Sequence, residues 1–235
     1  MTPAQDLLLQ GGRVVDGSGA PAFDADIRIR GDRILAIAPD LPTAGARVLD
    51  ASGCFVTPGF IDTHTHYDAA LFWDPRCSPI ATHGVTTVLI GNCALGLAPV
   101  RPSRVSALSA LFSFVEDLPR ELFETQIPWS WESFPDYARH LSAMPLGVNV
   151  CALVSHSLLR EEAMGPAAWQ RAATPAEAAA IASLTAEALS SGARGLSTSR
   201  LDRSPPASSF RATTPMTRSS GRFSRCSVAM AASCR

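Results

Sequence analysis

From residue 54 onward, short and densely apolar runs alternate with segments of helical periodicity. The apolar runs cover residues 54–61, 86–90 and 146–154, and strands that are buried on both faces have this composition. Apolar residues recur at helical spacing between residues 103 and 115 and again between 174 and 191. Strands that alternate with helices are typical of βα units, so this part of the chain is predicted to form a parallel α/β sheet.

The segment 174–191 carries the clearest helix signals in the chain. Thr174 is a suitable N-cap, Pro175 suits the first helical position, and Glu177 completes a capping box with Thr174. Gly192 is placed to end the helix in a left-handed conformation. A further strand is expected at residues 193–197.

The first fifty residues are predicted to form a small sheet of short strands. Residues 7–9 and 13–15 flank Gly11-Gly12, and Ile27 and Ile29 alternate with charged residues. Gly31-Asp32 then offers a two-residue hairpin turn before residues 33–37. Such strands fit a sheet that has one solvent-facing side.

A histidine pair, His64-Thr65-His66, stands where the apolar run 54–61 gives way to a loop. Side chains alternate along a strand, so the two imidazoles leave the same face and are able to hold one metal ion. Asp62 either hydrogen-bonds to a metal-binding histidine or caps the end of the strand. The pair suggests metal-assisted hydrolysis.

Two further residues follow the ends of apolar runs. Cys93 comes just after the run 86–90. Adjacent parallel strands place their carboxyl ends at the same edge of a sheet. The thiolate of Cys93 would therefore reach the metal ion held by His64 and His66. A lone cysteine is ordinarily a small buried apolar residue. His156 follows the run 146–154 and either binds substrate or caps the following helix.

The remaining candidates are assigned structural roles. His83 is expected to close a helix before Gly84, and His140 to lie in a surface helix over 131–141. The serines lack a G-x-S-x-G context, which argues against a serine hydrolase. Three cysteines are expected to pack in or near the core: Cys54, Cys77 and Cys151.

Charge and composition exclude several partners. The chain of 235 residues has 20 basic and 21 acidic side chains, which argues against a dedicated nucleic-acid or membrane-surface binder. No apolar run approaches the roughly 20 residues of a membrane helix. No signal peptide is visible at the start, so we expect a cytoplasmic protein with reduced thiols.

The chain changes character after Leu201. Residues 203–235 contain no Leu, Ile, Asp or Glu and are rich in Ser, Arg, Thr and Ala. They fit either a disordered basic tail or the product of a shifted reading frame. The predicted division is therefore 1–56, 57–201 and 202–235.

Several segments resemble the amidohydrolase superfamily, and within it the N-acyl-D-amino-acid deacylase (D-aminoacylase) branch. They include DLLLQGGRVVDGSGAP, VLDASGCFVTPGFIDTHTHYD, HGVTTVLIGNC and ALVSHSLLREEAMG, and the resemblance covers roughly residues 6–200. It implies an α/β fold: part of a metal-dependent (β/α)8 TIM barrel joined to a small N-terminal portion of a β-sandwich.

The resemblance also implies a site. His64, His66 and Cys93 match the family's ligands for one or two zinc ions. The family's later histidines and its catalytic aspartate have no counterpart here, and the family chains are about twice as long. We therefore expect the aspartate base to lie beyond a C-terminally truncated or frameshifted chain, which would be poorly soluble and inactive alone.

The implied activity is zinc-dependent hydrolysis of an N-acyl-D-amino acid, a small-molecule substrate. One alternative is another amidohydrolase that opens cyclic amides, as hydantoinases and dihydroorotases do. Cys93 discriminates against it, because those relatives typically use a carboxylated lysine. A second alternative is a non-catalytic metal-binding remnant.

Overall fold

The computed structural model describes residues 5–199 of the chain. The chain divides into two compact units, Met1–Gly59 and Phe60–Arg235. The predicted domain division stays a prediction, and the anomalous segment 202–235, with Cys226 and Cys234, lies outside the described residues.

The described part of the first unit is a five-stranded mixed sheet. β1 is central and pairs antiparallel with β2 and parallel with both β4 and β5, while β2 and β3 form an antiparallel hairpin. The strands are β1 (Asp6–Val14), β2 (Phe23–Arg30), β3 (Arg33–Ala38), β4 (Ala46–Asp50) and β5 (Phe55–Val56). The predicted turn at Gly31-Asp32 is confirmed, with Gly31 at a positive φ of 57°.

A buried carboxylate links β1 to β2. Asp6 accepts hydrogen bonds from Arg30 at 2.6 Å and from Arg28 at 2.7 Å. These bonds to Arg30 and Arg28 lower the pKa of Asp6 to about 2. Val14, Ala25 and Ile27 form a small apolar core in the same unit.

The second unit is built on a four-stranded parallel sheet in the order β6-β7-β8-β9. The strands are β6 (Phe60–Asp62), β7 (Val85–Ile90), β8 (Asn149–Ser155) and β9 (Gly195–Ser197). The helices are α1 (Val105–Glu116), α2 (Arg120–Thr125), α3 (Phe134–Ala143), α4 (His156–Met164) and α5 (Pro175–Ser190). Short 3-10 turns occur at Ala70–Phe72, Ile80–His83, Asn92–Ala94, Pro102–Arg104 and Gly165–Trp169. The predicted alternation of strands and helices is confirmed, and the described fold is mixed α/β.

The prediction of one strand over residues 54–61 is wrong. Phe55–Val56 pairs with β1 in the first sheet, whereas Phe60–Asp62 pairs with β7 in the second. Pro58 lies between them, and it breaks the run because proline has no N–H to donate to a strand ladder.

An aromatic core packs against the second sheet. Phe112 and Phe123 are fully buried with their rings 5.6 Å apart, and they belong to one apolar cluster with Val88 and Val154 of the sheet. Trp131 lies in the same cluster and donates its indole N–H to the carbonyl of Leu97 at 2.8 Å. The core thus fixes the segments that leave the carboxyl end of β7.

Helix α5 begins as predicted, with a complete capping box. The backbone N–H of Glu177 donates to Thr174 Oγ1 at 3.3 Å, and the backbone N–H of Thr174 donates to Glu177 Oε2 at 2.8 Å. Arg171 donates to both oxygens of the same carboxylate. The bonds from Arg171 and then Thr174 lower the pKa of Glu177 from 4.5 to about 2.

We expect Glu177→Gln to remove an acid-sensitive part of the stability. Because the pKa is lowered in the folded state, the stabilisation is complete above about pH 4.5 and is lost as the pH falls towards 2. The measurement is the free energy of unfolding in denaturant across that range, with Glu187→Gln on the exposed side of α5 as the control. Equal acid sensitivity in wild type and Glu177→Gln would contradict this assignment.

Candidate metal centre

The two histidines lie in the loop that directly follows β6, which ends at Asp62. Thr65 continues the strand pairing, because its backbone N–H and its hydroxyl both donate to the carbonyl of Leu89 in β7. Thr65 is buried, and the rings of His64 and His66 lie edge to face with their centroids 5.5 Å apart. Asp62 accepts the backbone N–H of His64 at 3.1 Å, so in this structure it acts as the cap of the strand end.

Cys93 reaches the same place from the neighbouring strand. It follows β7 in a tight 3-10 turn, and its Sγ lies 3.3 Å from His64 Nε2. One ligand atom from each of His64, His66 and Cys93 lies within 4.8 Å of the others. The structure thus brings together the three residues that the sequence singled out.

The chemistry of the three side chains fits a zinc ion. Two imidazoles and a thiolate are preferred zinc ligands, and a three-ligand site keeps a position open for water or substrate. Nδ1 of His66 is buried without a hydrogen-bond partner, and Oε1 of Glu116, at the end of α1, lies 3.8 Å from it. Among residues 5–199, no carboxylate joins the three-residue cluster.

Two residues beside the cluster were not singled out from the sequence. The side-chain amide of Asn92 donates to the carbonyls of Leu89 at 2.8 Å and Thr65 at 3.3 Å, so it links the two loops. Asp68 is almost wholly buried, and this burial raises its pKa to about 7, although a hydrogen bond from the backbone of Gly91 lowers it. The only sequence signal was the position of Asn92 next to Cys93.

Two serines hold the peptide that follows Cys93. The backbone N–H of Ala94 donates to Ser197 Oγ at 2.9 Å, and the carbonyl of Ala94 accepts from Ser155 Oγ at 2.5 Å. Both serines are buried, at the ends of β9 and β8. Neither had a role in the sequence-based prediction.

His156 lies outside the three-residue cluster. It is the first residue of α4, but the helix cap is Ser155, whose hydroxyl accepts the backbone N–H of Leu158, so the capping interpretation of His156 is wrong. Nδ1 of His156 lies 3.1 Å from the hydroxyl of Thr198. Burial lowers the pKa of His156, and the charge of Arg160 lowers it further. Substrate binding by His156 stays a prediction.

The other candidates have structural positions. His83 ends a 3-10 turn before the left-handed Gly84, as predicted. His140 lies in α3 as expected, but it is half-buried and its ring packs 5.1 Å from that of Trp131. Cys77 is buried, whereas Cys54 is exposed, so the core position predicted for Cys54 is wrong. Cys151 is half-buried in β8.

The fold and the site together define a class: an α/β protein with a candidate metal centre at the carboxyl ends of parallel strands. No helix of the described residues has the length and apolar character to span a membrane. Comparison with known sequences makes the assignment specific. The chain belongs to the amidohydrolase family, whose sequence profile matches residues 47–215.

Individual relatives agree with the resemblance seen in the sequence. D-aminoacylase of Alcaligenes xylosoxydans xylosoxydans is 43% identical over 210 residues, which cover 89% of this chain and 40% of that protein. A solved D-aminoacylase structure described as having a binuclear metal centre is 39% identical with a TM-score of 0.68. The match covers 83% of this chain and 38% of the chain in that structure.

A second solved relative carries both metal and inhibitor. The N-acyl-D-glutamate deacylase of Bordetella bronchiseptica, complexed with zinc and a phosphonate mimic of the tetrahedral intermediate, is 38% identical with a TM-score of 0.69. The match covers 83% of this chain and 38% of that one. The chain therefore spans about two fifths of the length of these relatives.

Proposed function

We propose that this chain carries the metal-binding part of a zinc-dependent deacylase that hydrolyses the amide bond of N-acyl-D-amino acids. The observation that carries the proposal is the cluster of His64, His66 and Cys93, whose ligand atoms lie within 4.8 Å of one another. The relatives that support the choice of substrate are a D-aminoacylase and an N-acyl-D-glutamate deacylase.

We further propose that the second sheet is the first part of a (β/α)8 barrel. The strands β6 to β9 are parallel and in sequence order, and the cluster lies at their carboxyl ends, where the active sites of such barrels are found. The first unit would then be one sheet of a small β-sandwich. A cytoplasmic location stays a prediction.

The three residues would hold one zinc ion, and a second ion would share the site in a binuclear form. Bound zinc supplies a polarising charge for the acyl carbonyl and lowers the pKa of water towards neutrality. Cys93 contributes a thiolate and the two histidines contribute neutral imidazoles. His156, at the carboxyl end of β8, is available to contact the small-molecule substrate.

A chimera tests the reaction. Residues 6–199 replace the matching segment of the Alcaligenes D-aminoacylase, and hydrolysis of N-acetyl-D-amino acids is compared with that of their L enantiomers. We expect D-selective hydrolysis that falls on the order of 100-fold or more with His64→Ala, because a metal ligand is lost. His83→Ala, at the amino end of β7, is the control. A folded, zinc-loaded chimera without D-selective turnover would contradict the proposal.

Cyclic amides test the alternative reaction. The zinc-loaded chimera is incubated with hydantoin and dihydroorotate beside N-acetyl-D-amino acids. We expect no ring opening. Ring opening that disappears with Cys93→Ala would instead assign the site to cyclic-amide hydrolysis.

A further inference from the structure

The backbone around Cys93 has an unusual conformation. Cys93 and Ala94 have positive φ values of 56° and 58°, a left-handed region that residues with a side chain rarely adopt. Two such residues in succession persist only where the surrounding structure holds them in place. The conformation matters because it directs Cys93 Sγ to within 3.3 Å of His64 Nε2.

Both polar groups of Ala94 are held by hydroxyls from other strands. Ser197 Oγ in β9 accepts the N–H at 2.9 Å, and Ser155 Oγ in β8 donates to the carbonyl at 2.5 Å. Both hydroxyls are shielded from water, because Ser155 is wholly buried and Ser197 is 7% exposed. We name this pair, Ser155 and Ser197, the hydroxyl clamp.

We propose that the hydroxyl clamp positions Cys93 as a metal ligand. Neither serine touches the candidate metal site, so they are positioning residues that act through the peptide of Ala94. The inference deepens the proposed function and rests on its metal site. Two strands that supply no ligand in the three-residue cluster thereby control where its thiolate lies.

Cobalt binding provides the test, because a thiolate bound to Co²⁺ gives a charge-transfer absorption band. The 235-residue chain is titrated with Co²⁺, and the dissociation constant and band intensity are recorded for wild type, Ser197→Ala and Ser155→Ala. We expect each variant to bind Co²⁺ about tenfold or more weakly, since residues that orient ligands contribute on this scale. The band should also weaken at metal saturation, which a general loss of stability would not produce.

Matched controls separate positioning from stability. Ser109→Ala removes a buried hydroxyl that donates to the carbonyl of Val105 in α1. Ser133→Ala removes the N-cap of α3, just as Ser155→Ala removes the N-cap of α4. Neither control contacts Ala94, so both should bind Co²⁺ as wild type does. If Ser197→Ala does not fold, Ser197→Thr and Ser197→Val replace it. Threonine and valine have the same shape, but only threonine has a hydroxyl. Only the threonine variant should therefore retain the thiolate band.

The outcomes are distinct. Wild-type affinity and band in both serine variants would overturn the clamp while leaving the metal site intact. A wild-type chain that gives no thiolate band would instead overturn the metal site of the proposed function, and the clamp with it. Weakening by Val but not by Thr at position 197 would support the clamp.

Discussion

Replacing His64 and Cys93 together by alanine should abolish tight zinc binding. Structural zinc sites with four ligands bind with about 10–16 kcal/mol, or roughly 3 kcal/mol for each ligand. Loss of two ligands therefore costs about 6 kcal/mol, which corresponds to more than a thousandfold in the dissociation constant. His66 alone would remain of the three-residue cluster. The measurement is competition for zinc against a chelator of known affinity.

The chain offers a matched control for this double variant. His83→Ala combined with Cys54→Ala also removes one exposed histidine and one exposed cysteine, and both lie outside the three-residue cluster. We expect this control to bind zinc as wild type does. Tight zinc retained by His64→Ala/Cys93→Ala would remove both residues from the site.

Gly91→Ala should destabilise the second unit and misplace Cys93. Gly91 has a φ of 82°, and an added Cβ would lie 2.2 Å from the carbonyl oxygen of Leu153 in β8. The left-handed strain and the forced separation of the strands together cost about 3 kcal/mol. The free energy of unfolding in denaturant measures the loss, and the Co²⁺–thiolate band reports the displacement of Cys93.

Gly84→Ala separates the two contributions to this loss. Gly84 has nearly the same backbone conformation, with φ 86° and ψ 9° against 82° and 17° for Gly91. Its added Cβ would meet only the ring of Phe60 at 3.4 Å. We expect this variant to lose about 1 kcal/mol from backbone strain alone and to keep the thiolate band. Equal losses of unfolding free energy in Gly91→Ala and Gly84→Ala would show that the close approach to Leu153 does not contribute to the destabilisation.

Local signals predicted much of the secondary structure. The capping box of Thr174 and Glu177, the turn at Gly31 and the left-handed Gly84 depend on residues next to one another, and all three are observed. The cluster was also predictable, because adjacent parallel strands place residues that follow them at one edge. His64 follows β6 and Cys93 follows β7.

Features that depend on contacts between residues far apart in the chain could not be predicted from the sequence. Ser197 lies 103 residues from the peptide of Ala94 that it holds, and no local pattern marks a serine for such a role. The run 54–61 showed continuous apolar character, yet its two halves pair with different strands. Cys54 was placed in the core by its residue type, but it is exposed.

The parallel order of β6 to β9 has a consequence for how such a protein can diversify. Each strand delivers a different group to the same edge: the histidine pair after β6, the thiol after β7, the imidazole of His156 after β8, and a supporting hydroxyl in β9. A substitution or insertion in the loop after β6 alters the histidine pair while the hydroxyls of β8 and β9 still hold the peptide after Cys93. Under the proposed function, the group offered to the substrate and the metal ligands stand on different loops, so each is open to selection or engineering one loop at a time.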